Sequence, residues 1–584
     1  MRWASIPAAV TPVPVVEVIA AVPWEVVVVV PVIDPATSAP VALRGRVVTM
    51  DAAGTVLPSG VVYARDGSIV AVQATAAPPP AGFEQVPVVS TRGTLFPGLI
   101  ELHNHLPYDV LPLWQVPTTF SNRDQWSGPS TPDYHRLISG PMSVLGRNPD
   151  VVPAVVRYVE TRCLLGGTTT SQGVALAVTP GIVTSFRGIV RNVEATGEPG
   201  VLPPAVTRIA DIEATDAERF LARISGRQKL LLHLSEGTDP AARRHFLALQ
   251  LPNDGPWAIT GNLIGIHCAA LQAPDFAVFA AHGGSMVWSP LSNLLLYGQT
   301  ARVGDAIAAG VPIAVGSDWA PSGSKNLLGE LKVARLAAAG AGAAVTPRDL
   351  VAMATSTPAG MLGWGQHLGT LEAGKRADLI VVRGAGGDPY DHLLAATEAD
   401  IDLVLINGIP RAGRVPVMTT LGVTGEQVTV AGTPRLLNLA QHTADPLVEA
   451  ISVQDAITRL GQALADLPAA GAGAAPALAA AAAARRDGRP LLAVTGVIDN
   501  HMSPRPHLPY RGRLTGPNLP SAWPDDTLSV SAAAARRAAA VAPLPALELD
   551  PLTAVDNPGY YNTLGQEQNL PPVVRDGLTA LTPH

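Results

Sequence analysis

Four short apolar runs in this chain each lead into a residue that can bind a metal. They are PGLIELHNH, LLLHLSEG, IGIHCAA and AVGSD, which present His103 and His105, His233, His267 and Asp318. Runs of this length and composition read as core strands. A core strand buries its side chains, whereas its C-terminal end can present a ligand. When parallel strands alternate with helices in a closed barrel, those ends meet at one face, where active sites are built.

The stretch 97–366 has the alternation such a barrel needs. Strand candidates fall at 97–105, 168–173, 188–194, 205–211, 229–236, 263–270, 285–290 and 312–318. Stretches with helical periodicity, such as VVPAVVRYVETRCLL and ARVGDAIAAG, lie between them. The expected fold class is therefore α/β, a (β/α)8 TIM-like barrel over 97–366. Residues 106–150, rich in Pro, Trp, Tyr and Asn, read as a long loop over the active face.

Both flanks of this block look β-rich. ALRGRVVTMD and GVVYARDGSIVAV, with Asp-Gly as a hairpin signal, precede it; LGTLEAGKRADLIVVRG and IDLVLINGIPRAG follow it. Segments 41–96 and 367–418 are expected to combine into one small β-sandwich. Residues 419–584 read as an irregular Ala/Pro-rich C-terminal extension that buries little core. It should hold a helix at 451–467, an Ala/Gly linker at 468–489 and a second helix near 531–541. Residues 1–40 read as an N-terminal extension, possessing neither an uninterrupted signal-like run nor a bilayer-spanning one. A cytoplasmic protein is expected.

Composition removes other classes. With 584 residues and 47% hydrophobic content, a large core is available. The net charge of −7 and scattered basic residues argue against nucleic-acid binding. Cys163 and Cys268 are too few for a disulfide framework and read as buried thiols.

The ligand candidates form a chemical set. In His103-Asn104-His105 the strand period of two puts both imidazoles on one side. His233 and Asp318 complete a His3Asp set that suits Zn2+, with Fe or Mn as other occupants, and leaves a position for water. Glu236, three residues after His233, can sit beside that water and move its proton; alone it would read as a loop carboxylate. His267 fits either a ligand or a hydrogen-bonding partner of the reacting water. Tyr108, Trp114, Arg123, Trp126, Trp288 and Trp319 are the candidate substrate-binding residues, an aromatic wall with one cation, though loop packing would also explain the rings. His135 in the long loop is a weaker candidate of the same kind.

These segments, together with GGTTTSQG, WSPLSN and LGTLEAGKRADLIVV, resemble the amidohydrolase superfamily over about residues 41–413. The nearest likeness is to its cytosine, guanine and S-adenosylhomocysteine deaminases and triazine chlorohydrolases. The resemblance implies that His103, His105, His233 and Asp318 bind one metal, that Glu236 shuttles protons and that His267 assists. It also implies dimers or larger assemblies. Two-metal members use a carboxylated lysine late in the fourth strand, and no lysine lies between Met1 and Lys229. A Cys or Glu bridge stays open, but one ion is expected. Trp288 stands where deaminases of this branch often carry a histidine, which weakens transfer of any nucleobase substrate. The expected function is metal-dependent hydrolysis of a C–N bond at an sp2 carbon of a small substrate, either deamination of a cyclic amidine or opening of an amide. Dehalogenation on the same scaffold, and a non-catalytic binding protein on this barrel, are the alternatives.

Overall fold

The computed structural model describes residues 38–127, 131–173, 176–179, 182–184, 188–208, 217–226, 228–441, 446–470 and 543–580. Four strands come first: β1 (Val41–Val48), β2 (Val56–Arg65), β3 (Ser68–Ala74) and β4 (Val88–Pro97). Next are β5 (Leu99–Glu101), β6 (Thr168–Ser171) and a hairpin of β7 (Leu176–Thr179) and β8 (Ile182–Thr184). Six short strands follow: β9 (Arg191–Asn192), β10 (Val206–Arg208), β11 (Leu230–Leu234), β12 (Leu263–His267), β13 (Ser285–Trp288) and β14 (Ile313–Val315). The last are β15 (Leu379–Arg383), β16 (Ile401–Ile406), β17 (Ile409–Arg414), β18 (Glu426–Val430) and β19 (Thr433–Leu437).

Each of the eight strand candidates of 97–366 contains one of these strands, and all eight run parallel. They form two sheets, β5-β6-β9 and β10-β11-β12-β13-β14. The sheets meet at both margins. Asn104 bridges to Asp318 in the parallel sense, and Ala205 N donates to Val193 O at 3.0 Å. Burial explains the continuous apolar spelling of these strands. In β11, Leu231 joins Ile264, Val287 and Ala314 in one apolar cluster, while Leu230, Leu232 and Leu234 join another with the surrounding helices. Helices separate most of the strands, including the wholly buried Val152–Leu165 between β5 and β6. Between β6 and β9 the described chain is the β7–β8 hairpin instead.

The flanking segments build one mixed sheet in the order β18-β19-β17-β16-β15-β4-β1-β2-β3. Its hydrogen bonding is unbroken, so the segments expected to give a two-layer sandwich share a single sheet. It also runs past residue 418. The β18–β19 hairpin turns at Ala431 and Gly432, both at positive φ, and Ala-Gly is a weak hairpin signal beside Asn-Gly or Asp-Gly.

The C-terminal extension buries more than its composition suggested. Helix Val453–Ala465 inserts Val453, Ala456, Leu460 and Leu464 and packs on helix Val152–Leu165. Farther on, Tyr560, Tyr561, Leu564, Leu570, Val574 and Leu578 are buried. A few well-spaced Tyr, Leu and Val side chains are enough to anchor a Pro-rich stretch. The long loop 106–150 is likewise more helical than expected, with turns at Leu106–Val110, Arg123–Trp126, Pro132–Tyr134, His135–Ser139 and Gly140–Leu145. The expected N-terminal extension lies outside the described residues except for 38–40, as does the expected helix near 531–541. Among the described residues no helix is long and apolar enough to cross a membrane.

A buried ion pair ties the parallel strands to the mixed sheet. Arg191, fully buried in β9, donates to both carboxylate oxygens of Asp378, to Asn407 Oδ1 at 2.6 Å and to Thr170 Oγ1 at 3.1 Å. Removing one member of such a pair strands the other in the core. Arg191→Met should therefore lower stability by about 3–5 kcal/mol, with R191M/D378N losing less. Urea unfolding checks this, and an unchanged midpoint for the single variant would contradict it.

Candidate metal centre

His233 shares a face of β11 with Leu231, so alternation alone carries it inward at the strand's C-terminal end. For β12 alternation is not enough: Ile264 and Ile266 lie in the interior cluster, and His267 would follow on the opposite face. His267 instead adopts φ +67, as does Asp318, with Ser235 at +53 and Cys268 at +51. A left-handed backbone at several non-glycine residues is costly and clusters at sites whose geometry the fold dictates. Gly316 leaves room for this arrangement. A Cβ there would stand 2.7 Å from His103 Cβ.

The structure brings all six expected chemical residues together, each buried. Donor atoms of His103, His105 and His233 lie within 4.8 Å of one another, as do those of His103, His267 and Asp318, and those of His233, Glu236 and His267. Asp318 Oδ1 is 3.1 Å from His103 Nε2 and 3.5 Å from His105 Nε2. Neither ring nitrogen of His103 has a hydrogen-bond partner among the described residues. A buried imidazole whose one polar neighbour is the Asp318 carboxylate is costly unless something else fills its valence, and a divalent cation would do so. The N3O donor set of His103, His105, His233 and Asp318 suits such an ion.

Electrostatics agree with that reading. Burial lowers the pKa of His103 and of His267 to about 4, against the opposing pull of Asp318. Burial likewise depresses His233, with the neighbouring rings adding to it. Neutral imidazoles are what a metal requires. Burial pushes Asp318 upward, but His103, His267 and His105 outweigh it and hold the carboxyl below its ordinary range. Glu236 moves the other way: burial raises it, and Arg123 only partly compensates.

Two helical residues with no role among the sequence expectations fix Glu236 and His267. Both lie on helix Pro290–Tyr297, which starts just beyond β13. Tyr297 OH donates to Glu236 Oε1 at 2.7 Å and accepts from Trp126 Nε1 at 2.8 Å. Asn293 Nδ2 lies 3.0 Å from His267 Nδ1. Their spacing of four puts them on one helical face, a signal that WSPLSNLLLY carries once the helix is recognised.

Of the candidate substrate-binding residues, Arg123 places Nε 3.7 Å from Glu236 Oε2. Tyr108 and Trp319 lie beside His105, with ring centroids 6.4 Å and 6.2 Å from it. Trp126 is 5.8 Å from Trp319 and spends its N–H on Tyr297. Trp114 is tied to Pro321 through its main chain and stacks on Phe120. His135 contacts Ser139 within its own helical turn.

Trp288 is fully buried and faces a different partner. Its indole N–H donates to Thr300 Oγ1 at 2.7 Å, and Thr300 in turn donates to Asn293 Oδ1 at 3.3 Å. The indole N–H can only donate, so Thr300 Oγ1 accepts from it and keeps one proton, which it places on Asn293 Oδ1. Asn293 must then present its NH2 to His267 Nδ1, so the imidazole proton sits on Nε2, the nitrogen 3.8 Å from Glu236. Nitrogen-15 NMR of histidine-labelled protein should show His267 protonated on Nε2, with Thr300→Val admitting the other tautomer. Protonation on Nδ1 in the wild-type protein would contradict the chain of donors.

Residues 257–410 match the amidohydrolase family. The match covers that stretch of the 584-residue chain alone. That match holds His267 and Asp318, while the geometry above brings in the earlier donors that follow β5 and lie in β11. Among curated relatives, an S-triazine hydrolase of Gordonia rubripertincta is 35% identical over 158 residues, 25% of this chain and 33% of that protein. A 5-methylthioadenosine/S-adenosylhomocysteine deaminase of Desulforudis audaxviator is 31% identical over 202 residues, 32% of this chain and 44% of that one. The chain thus aligns with a third to under half of these two relatives. A deaminase of the same name from Halalkalibacterium halodurans is 26% identical over 408 residues, 62% of this chain and 91% of the relative.

Proposed function

We propose that residues 97–366 form one closed (β/α)8 barrel, that 41–96 and 367–418 with the β18–β19 hairpin form the accompanying β domain, and that the barrel houses a one-metal hydrolase acting on C–N bonds. The two sheet margins joined at Asn104–Asp318 and Val193–Ala205 support closure. The observation that carries the function is the convergence of four buried donors with an oriented carboxylate at the same strand ends. The amidohydrolase-family match, and relatives named as a triazine hydrolase and deaminases, point the same way.

His103, His105, His233 and Asp318 would hold a divalent ion, zinc by donor preference, which would supply Lewis-acid activation of water and of the attacked group. The chain's own residues handle the protons. Glu236 takes one from the attacking water at Oε2, because Oε1 already accepts from Tyr297. Its raised pKa lets it keep that proton long enough to deliver it to the leaving nitrogen. His267, protonated on Nε2, donates a hydrogen bond toward the attacking oxygen. Arg123 limits how far Glu236 rises and covers it from the loop side.

Tyr108, Trp114, Trp126 and Trp319 then wall the substrate side, favouring a flat, largely apolar ligand such as a cyclic amidine or amide. Trp288 serves His267 instead of the ligand. A retired binding barrel would be expected to have lost a member of the six-residue set, and none is missing.

Plasma mass spectrometry of protein purified without chelator should find about one zinc, iron or manganese per chain. Against planar amidines and amides, Glu236→Gln should keep that metal and lose about 10²- to 10⁴-fold in turnover. A metal-free protein after reconstitution, or a fully active Glu236→Gln, would overturn the proposal.

A further inference from the structure

The segment 543–580 is remote in sequence from every ligand, yet one of its side chains sits behind two of them. Asp550 is 2% exposed and pinned from several sides. Its N–H donates to Val110 O at 3.2 Å, its main-chain oxygen accepts from Tyr158 OH, and its Oδ1 accepts from Asn557 Nδ2 at 3.1 Å. Its Oδ2 accepts from Lys325 Nζ and, at 2.9 Å, from Arg162 Nη1. Arg162 and Lys325 are themselves buried.

From Arg162 the contacts run straight to the metal centre. Arg162 Nη1 also donates to the main-chain oxygen of Asp109, and Nη2 donates to Lys325 O at 3.2 Å. Asp109 lies in the turn Leu106–Val110 that follows His105, and its Oδ1 accepts from Ala320 N at 2.8 Å, two residues beyond Asp318. His105 N and Asp318 O are paired at 2.6 Å. One guanidinium therefore holds the loops leaving both ligands, and Asp550 holds that guanidinium. The cluster balances two buried cations, Arg162 and Lys325, with two buried carboxylates, Asp109 and Asp550. Without Asp550, two cations face one anion in a water-poor core, and a buried charge left unpaired moves or recruits water.

We propose that Asp550 is a positioning residue of the metal centre: through Arg162 and Asp109 it holds the loops bearing His105 and Asp318 in register, making the C-terminal segment a working part of the site. This rests on the ligand assignment above. Tyr560 reinforces the arrangement by donating to Gly323 O at 3.3 Å and by lying under Lys325 Nζ, 4.9 Å from the ring centroid.

The test uses the full chain, stripped of metal and titrated with Co2+, read by the visible absorption of the bound ion and by thermal melting. Asp550→Asn, nearly isosteric, should weaken Co2+ binding by about 10- to 100-fold, the usual cost of disturbing groups that orient ligands, and should alter the absorption bands. Leu564→Ala, which opens a cavity in the same segment without removing a charge or a hydrogen bond of the ion cluster, should lower the melting temperature but leave the affinity and bands of the wild type. The double variant D550N/K325M restores charge balance and should regain most of the affinity. Wild-type affinity and bands in a folded Asp550→Asn protein would overturn the inference. So would an equal loss in Leu564→Ala, or no recovery in the double variant. A wild-type chain that takes up no Co2+ would instead overturn the ligand assignment, and this inference with it.

Discussion

The seam between the first and last parallel strands is the constraint on which the rest depends. Asp318 N donates to His103 O at 3.0 Å and His105 N to Asp318 O at 2.6 Å, so both ends of the parallel array are held by the main chain of residues proposed as metal ligands. The backbone contact between the two sheets and the cluster of donor side chains therefore share the same residues. The left-handed φ at Asp318 and His267, and the absence of a side chain at Gly316, let the side chains turn inward at this seam.

Around that seam the polar groups are arranged in layers, each orienting the one inside it. Glu101 accepts from Ser317 N and Oγ just before Asp318, and Asn104 Nδ2 donates to Ser317 Oγ at 3.1 Å. Gln172 accepts from Asn104 N at 2.9 Å and passes to Glu194. On the far side, Trp288, Thr300 and Asn293 set His267, while Trp126 and Tyr297 set Glu236. Trp288 and Trp126, which in sequence look only like parts of a ligand's wall, each donate an indole hydrogen bond into these chains. An N–H that can only donate occupies an acceptor site of the next hydroxyl and leaves its proton for the group beyond.

The residues of the donor cluster were legible in the sequence because period-two burial and the apolar spelling of parallel strands are local properties. PGLIELHNH and LLLHLSEG carry their own evidence, and even β9, two residues long among glycines and prolines, falls inside its expected window. What could not be read locally was pairing over long distance. Nothing in VTVAGTPRLL says that it will extend a sheet begun at residue 41, and nothing around Asp550 says that it will neutralise Arg162. The roles of Asn293 and Tyr297 lay between these cases: the four-residue spacing was visible, but not which helix face would meet β11 and β12. Composition misled at the C-terminus, where a Pro- and Ala-rich average concealed a handful of anchoring Tyr, Leu and Val side chains.

The central claim is that His103, His105, His233 and Asp318 hold a single ion. Anomalous diffraction at the absorption edge of the metal bound to the purified protein tests it most directly. The account predicts one strong peak per chain, bounded by those four side chains, with Glu236 and His267 facing it. Two peaks in the cavity, or one peak outside these four residues, would contradict it.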